Sequence, residues 1–229
     1  MTNRFADLAQ TLIVSCQAYP GEPLRHPETM AQMAEAVVAG GAAAVRAQGL
    51  DDISVIKRRV PVPLIGLWKQ DHGGVFITPT LKHARAVRAA GADVVALDGT
   101  RRPRPDGLTL AETIRLLKLD APTLVMADCG SLADAIAARD GGADIIGTTL
   151  AGYTGDRPAT SGPDLELIAQ IAGQVGDVPV FAEGRVHTPA QARQALDAGA
   201  HAVVVGTAIT HPTTLTRWFR DSLHPPARN

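Results

Sequence analysis

Eight alternations of strand and helix within 229 residues predict an α/β chain closed into one (β/α)8 TIM barrel of the phosphate-binding type. Three observations carry that expectation. First, a helix-like run, a Gly-Ala or Gly-Gly pair and a β-branched burst recur together. The copies are Ala39-Gly-Gly-Ala-Ala-Ala-Val-Arg46, Ala90-Gly-Ala-Asp-Val-Val-Ala-Leu-Asp98, Gly141-Gly-Ala-Asp-Ile-Ile-Gly147 and Ala198-Gly-Ala-His-Ala-Val-Val-Val-Gly206. They lie about fifty residues apart, or two βα units of roughly 25 residues each. Second, proline introduces an apolar run in the gaps: Val62-Pro-Leu-Ile-Gly-Leu-Trp-Lys69, Pro122-Thr-Leu-Val-Met-Ala-Asp128 and Val178-Pro-Val-Phe-Ala-Glu183. Third, the last two apolar runs stop in glycine beside a polar residue, at Glu183-Gly184-Arg185 and at Gly206-Thr207. The final two βα loops of such a barrel usually cradle a phosphate, and glycine lets backbone N–H groups approach an anion. An open, doubly wound sheet is the structural rival.

Taken in order, Thr11-Leu-Ile-Val-Ser-Cys16 opens the series and makes the strands eight. Each burst reads as a buried parallel strand, with the preceding glycine ending a helix. Helical patterns fill the gaps at 27–39, 51–59, 80–90, 109–118, 131–140, 164–175, 188–198 and about 212–221. Ser131 and Thr188-Pro189 are start signals, the proline standing at the first helical position. No linker or charge run divides the chain. Residues 1–223 are expected as a single barrel domain, and 224–229 as a flexible tail.

Hydrophobic residues make up 45% of the chain, enough for a sizeable core, while aromatics are only 3% and argue against base-stacking platforms. A net charge of −1 gives no general pull toward nucleic acid or membrane. Two cysteines without metal-ligand spacing, Cys16 and Cys129, suit a reducing cytoplasm and read as small buried residues. The apolar run 11–16 is too short for a signal sequence, and nothing approaches a membrane span.

Chemistry in such a barrel sits at the C-terminal ends of the strands. Those ends read Gln17, Arg46, Lys69, Asp98, Asp128, Thr148, Glu183 and Gly206-Thr207. Lys69 ends a buried run, so its side chain is expected in the barrel mouth. A partly desolvated lysine near Arg46 has its pKa pushed down, which suits a base near neutral pH or a Schiff-base nucleophile. Glu183 has a bland alternative as an ion-pair partner of Arg185, and Asp128 as a carboxylate satisfying donors ahead of the 131–140 helix. The basic stretch 99–106 reads as a solvated loop rather than a nucleic-acid contact. His72, His83, His187 and His201 have no helical ligand pairing, so no metal is assigned. Neither Gly-x-Gly nor Gly-Lys occurs, which removes the dinucleotide fingerprint and the P-loop. What remains is cofactor-free acid–base or Schiff-base chemistry on a phosphorylated small molecule.

Read together, Ser15-Cys-Gln17, Val45-Arg46-Ala-Gln-Gly49, Gly66-Leu-Trp-Lys69, Ala96-Leu-Asp-Gly-Thr100 with Arg102-Pro-Arg-Pro-Asp-Gly107, Met126-Ala-Asp128, Gly147-Thr-Thr-Leu-Ala-Gly-Tyr-Thr154, Ala182-Glu-Gly-Arg185 and Gly206-Thr-Ala-Ile-Thr210 resemble the N-acylglucosamine-6-phosphate 2-epimerases of sialic acid breakdown. The likeness runs from the first strand through the eighth, and its specificity lies in the joint order of the motifs. It implies interconversion of N-acetylmannosamine 6-phosphate and N-acetylglucosamine 6-phosphate, no cofactor or metal, and commonly a homodimer. By the same likeness Lys69 and Glu183 are catalytic, Gln17, Arg46 and Asp128 bind substrate, and Gly184, Arg185, Gly206 and Thr207 hold the phosphate. The family's Thr-Arg-Pro after the last strand is here Thr210-His-Pro212, so an imidazole at His211 replaces an arginine fork on the phosphate side. A Schiff-base lyase or synthase and a non-catalytic sugar-phosphate binder stand as alternatives.

Overall fold

The computed structural model describes residues 6–70 and 74–223. Eight parallel strands close into a barrel in sequence order, with β1 paired to β8. The chain runs β1 (Thr11–Cys16), α1 (Pro27–Ala39), β2 (Ala44–Gln48), α2 (Leu50–Arg59), β3 (Leu64–Leu67), α3 (Leu81–Ala89), β4 (Val94–Asp98) and α4 (Leu110–Asp120). It continues through β5 (Leu124–Asp128), α5 (Leu132–Asp140), β6 (Ile145–Gly147), α6 (Leu165–Gln174), β7 (Val180–Glu183), α7 (Pro189–Asp197), β8 (Ala202–Val205), α8 (Thr207–Thr210) and α9 (Pro212–Leu223). The open-sheet rival is thereby excluded. The expected tail at 224–229 and His72 lie outside the described residues.

Helix boundaries follow local chemistry. Ser131 accepts from the Asp134 N–H to start α5, and reciprocal capping boxes start α4 (Thr109 with Glu112) and α7 (Thr188 with Gln191). The four-residue α8 was not anticipated, because Thr207-Ala-Ile-Thr210 is too short to show a helical period.

Side-chain alternation along the strands separates two layers. One parity points inward: Ile13, Ala44, Ile65, Leu67, Val94, Ala96, Met126, Ile145, Phe181, Ala202 and Val204 fill the barrel as one apolar cluster. The other parity, with Val14, Cys16, Val45, Ala47, Val95, Leu97, Val125 and Ala127 among it, packs under the helices. Two glycines mark close approaches. A Cβ on Gly66, which faces outward, would meet Ala92 at 2.6 Å and Val87 at 3.0 Å, so β3 lies tight against its neighbours on that side. A Cβ on Gly147, which faces inward, would overlap Met126 Cε and lie 3.0 Å from Asp128 Oδ1. Gly147 therefore leaves the room that Met126 and Asp128 occupy.

The loop after β4 corrects one expectation. It is not loosely solvated, because two of its three arginines turn inward. Arg104 is buried and donates to the Asp98 and Thr78 carbonyls. Arg102 donates to Asp98 Oδ2 at 2.8 Å and to the Gly74 carbonyl at 2.9 Å. Only Arg101 is largely exposed, and it pairs with the buried Asp134 at 3.1 Å.

Candidate active site

Continuing each inward row one step past the apolar filling brings polar side chains to the barrel mouth. Ile13 leads to Ser15 and Gln17 on β1, Ala44 to Arg46 on β2, and Leu67 to Lys69 after β3. Met126 leads to Asp128, Gly147 to Thr149, Phe181 to Glu183, and Val204 to Gly206. These residues, Asp128 excepted, line a cavity of about 320 Å³ that Tyr19, Tyr153, His187 and His211 also border.

Arg46 is its buried centre. It donates to Asp128 through two nitrogens, at 3.1 and 2.6 Å, and its Nη1 lies 3.4 Å from Glu183 Oε2. Both members of the Arg46–Asp128 pair are within 1% of complete burial. Such a pair survives only with its donors and acceptors well matched, and its use here is to fix a positive charge in place. Asp128 is thus an arginine anchor, and the cap of α5 that was its bland alternative falls to Ser131.

Lys69 donates to Gln17 Oε1 at 2.7 Å, and Gln17 in turn donates to Ser15 Oγ at 2.8 Å. Burial first and the Arg46 charge second push the Lys69 amine below its ordinary value, against the pull of Glu183 and Asp128. Glu183 moves the other way. Burial, reinforced by Asp128, raises its carboxyl to about 7 against the attraction of Arg46 and Lys69. The pairing of Glu183 with Arg185 is not found; Glu183 turns to Arg46. Arg185 donates to the Ala151 carbonyl at 2.9 Å and to Thr160 Oγ1 at 3.1 Å, with its guanidinium 5.3 Å from the Tyr153 ring centre. It pins the loop between β6 and α6 against the loop after β7.

Gly184 and Arg185 both hold positive φ, 114° and 55°, and a left-handed arginine persists only where its surroundings enforce it. Gly206, Thr207 and His211 border the same side of the cavity. His211 is 4% exposed; its ring packs 4.7 Å from Tyr19, and its Nδ1, 3.6 Å from Glu22, has no hydrogen bond. Burial lowers its pKa from 6.5, and Lys69 adds to that while Glu22 opposes it.

Besides Asp128, which lies behind Arg46, two strand ends do not line the cavity. Asp98 has the inward parity but is taken up by Thr100 and Arg102. Thr148 has the outward parity and donates to the Glu183 carbonyl. Its neighbour Thr149, unassigned from sequence, is the one in the mouth, as are Ser15 and Tyr19; the Gly147-Thr-Thr and Ser15-Cys-Gln17 motifs held two of these three in view. Cys16 and Cys129 are buried, and burial pushes the Cys16 thiol up to about 12. Among the described residues no group of three or more His, Cys, Asp and Glu is arranged to hold a metal ion, and no helix is long and apolar enough to cross a membrane.

Comparison with known proteins gives this geometry a family. Residues 30–225 match the sequence profile of the family described as "Putative N-acetylmannosamine-6-phosphate epimerase". A Cutibacterium acnes protein named "Putative N-acetylmannosamine-6-phosphate 2-epimerase" is 68% identical over 95% of this chain and 96% of its own. A Caldanaerobacter subterraneus protein of the same name is 50% identical over 93% of this chain and 90% of its own. The structure of the N-acetylmannosamine-6-phosphate 2-epimerase from Clostridium perfringens superposes with a TM-score of 0.92 at 38% identity, covering 97% of each chain. The thiamine phosphate pyrophosphorylase of Pyrococcus furiosus, at 16% identity and a TM-score of 0.61, shares the fold alone. The chain belongs to the N-acetylmannosamine-6-phosphate epimerase family.

Proposed function

We propose that the chain is an isomerase that interconverts N-acetylmannosamine 6-phosphate and N-acetylglucosamine 6-phosphate in amino sugar catabolism. The observation that carries this reading is the meeting of Lys69 and Glu183 in one mouth, the amine shifted down and the carboxyl up. A lowered amine and a raised carboxyl differ less in proton affinity than the free groups do, which suits the two to passing protons to and from a substrate. In the open-chain aldehyde the C2 proton lies alpha to the carbonyl. Removing it leaves the electron pair in an enolate-like intermediate, and returning a proton to the other face inverts C2. No step oxidises or reduces the sugar.

Lys69 and Glu183 are the acid–base pair. Gln17 orients the Lys69 amine so that its free electron pair is available to the substrate. Arg46, held by Asp128, supplies fixed positive charge where negative charge develops on the carbonyl oxygen. Gly184, Arg185, Gly206, Thr207 and His211 form the phosphate side, and a protonated His211 ring adds positive charge there. The working protein is a cytoplasmic homodimer, each subunit a single barrel. Support for the dimer comes from α9, none of whose residues is buried and whose Phe219 and Leu223 are 73% and 74% exposed.

Proton NMR of N-acetylmannosamine 6-phosphate turned over in D2O tests the reading. Deuterium should enter C2 of the product. Full retention of the original C2 proton would argue against exchange through these groups. Borohydride trapping of substrate on Lys69 would instead favour the Schiff-base alternative, and binding without turnover the binding protein.

A further inference from the structure

Between the two carboxylates of the site stands one hydroxyl. Thr149 Oγ1 lies 2.6 Å from Asp128 Oδ1 and 3.2 Å from Glu183 Oε2. A hydroxyl has one proton to give and lone pairs to accept with. The shorter contact takes the proton, since Asp128 is the carboxylate that Arg46 grips through two nitrogens. The lone pairs of Oγ1 then face Glu183. An ionised Glu183 would meet them with a lone pair of its own, whereas a protonated Glu183 donates to them and completes a chain running Glu183 to Thr149 to Asp128.

We infer that Thr149 is a positioning residue that holds Glu183 in its proton-loaded form by accepting a hydrogen bond from it while donating to Asp128. The inference rests on the reading of Glu183 as an acid–base group. The other charged groups around Glu183 are Arg46 from β2, Lys69 after β3, Asp128 from β5 and Arg185 on its own loop, with His187 and His211 bordering the same cavity. Of these, Arg46 alone comes within ion-pair distance of Oε2, and a guanidinium can only donate. Thr149 follows Gly147 and Thr148 on the turn out of β6, and its place there is fixed by the backbone on both sides: the Thr148 N–H donates to the Phe181 carbonyl and the Leu150 N–H to the Cys129 carbonyl.

The direction of the effect separates this arrangement from the reverse one. If Thr149 donates to Glu183, it stabilises the anion, and its removal raises the Glu183 midpoint. If it accepts, its removal lowers that midpoint. Carboxyl ¹³C NMR of glutamate-labelled protein reads the titration directly, with the Glu183 signal assigned by its loss in Glu183→Gln. Thr149→Val should move the midpoint to lower pH and reduce kcat by about three- to tenfold, the scale of one hydrogen bond, with KM little changed. Thr149→Ser should restore both. An unchanged or raised midpoint in Thr149→Val, or a serine variant that behaves like valine, overturns the inference. Should valine not fold, Thr149→Ala compared with Thr149→Ser reads the same shift. Activity retained by Glu183→Gln would strike at the acid–base reading instead, while the NMR midpoint would still report on Thr149.

Discussion

Lys69 is the residue whose loss should matter most. Its amine reaches into the mouth, is directed by Gln17, and is lowered by desolvation there and by the Arg46 charge. Lys69→Ala should fold normally and lose about 10²–10⁴-fold in kcat, the usual contribution of a general acid–base group. More than about a tenth of wild-type kcat remaining would remove it from that role. His211 gives a pH prediction. Burial holds its pKa below 6.5 in the free protein, so it carries a proton only on the acid side of neutrality, and a bound dianion works against that shift. KM for the phosphorylated sugar should therefore rise as pH increases from about 6 to 8. His211→Arg should flatten the rise and lower KM at the upper end, because guanidinium stays charged throughout. Titration of the substrate phosphate affects both proteins alike, so the difference between their curves is the measurement. Identical curves would detach His211 from the phosphate.

At the scale of elements, β6 and α9 carry the testable features. Gly147→Ala forces a methyl against Met126 and toward Asp128, which anchors Arg46. Overpacking of this kind costs about 1–3 kcal/mol. Melting should drop by several degrees and kcat should fall with it, since the displaced carboxylate positions the central cation; calorimetry and steady-state kinetics check the two together. For α9, Phe219→Asp should shift the protein toward monomer in light scattering after size exclusion, if the exposed face of that helix meets a second copy. The elements themselves were legible from sequence. The helices begin and end within about two residues of their expected positions, because Gly, Pro, Ser and Thr punctuate them locally. Apart from β1, the strands come out shorter than the apolar runs; Pro63 and Pro179 still accept from the Val45 and Ile146 N–H groups of the neighbouring strands but have no N–H to give. What sequence concealed was α8, whose four residues contain no full period.

For the molecule as a whole, closure of the barrel decides which strand-end residues meet. Arg46, Asp128 and Glu183 are separated by 82 and 55 positions along the chain, yet their charged atoms lie within 3.4 Å of Arg46. Strand ends alone named most of the site but could not grade them, because a strand end read one residue early exchanges one face for the other. Placing the end of β6 at Thr148 makes that exchange, and Thr149 is the residue in the mouth. Asp98 has the correct face and is lost to the site because its carboxylate accepts from the Thr100 N–H and hydroxyl and from Arg102, contacts that only the folded loop reveals.

The inward row has a further meaning for how this protein tolerates change in length. Deleting any one residue early in β2 would carry Ala47 into the mouth and drive Arg46 under the helices, although no active-site residue had been removed. Loops and helices around the barrel can gain or lose residues without that penalty. Inherited length variation should therefore gather outside the strands, and a single-codon deletion in β2, β5 or β7 should be as disabling as the replacement of Arg46, Asp128 or Glu183 itself.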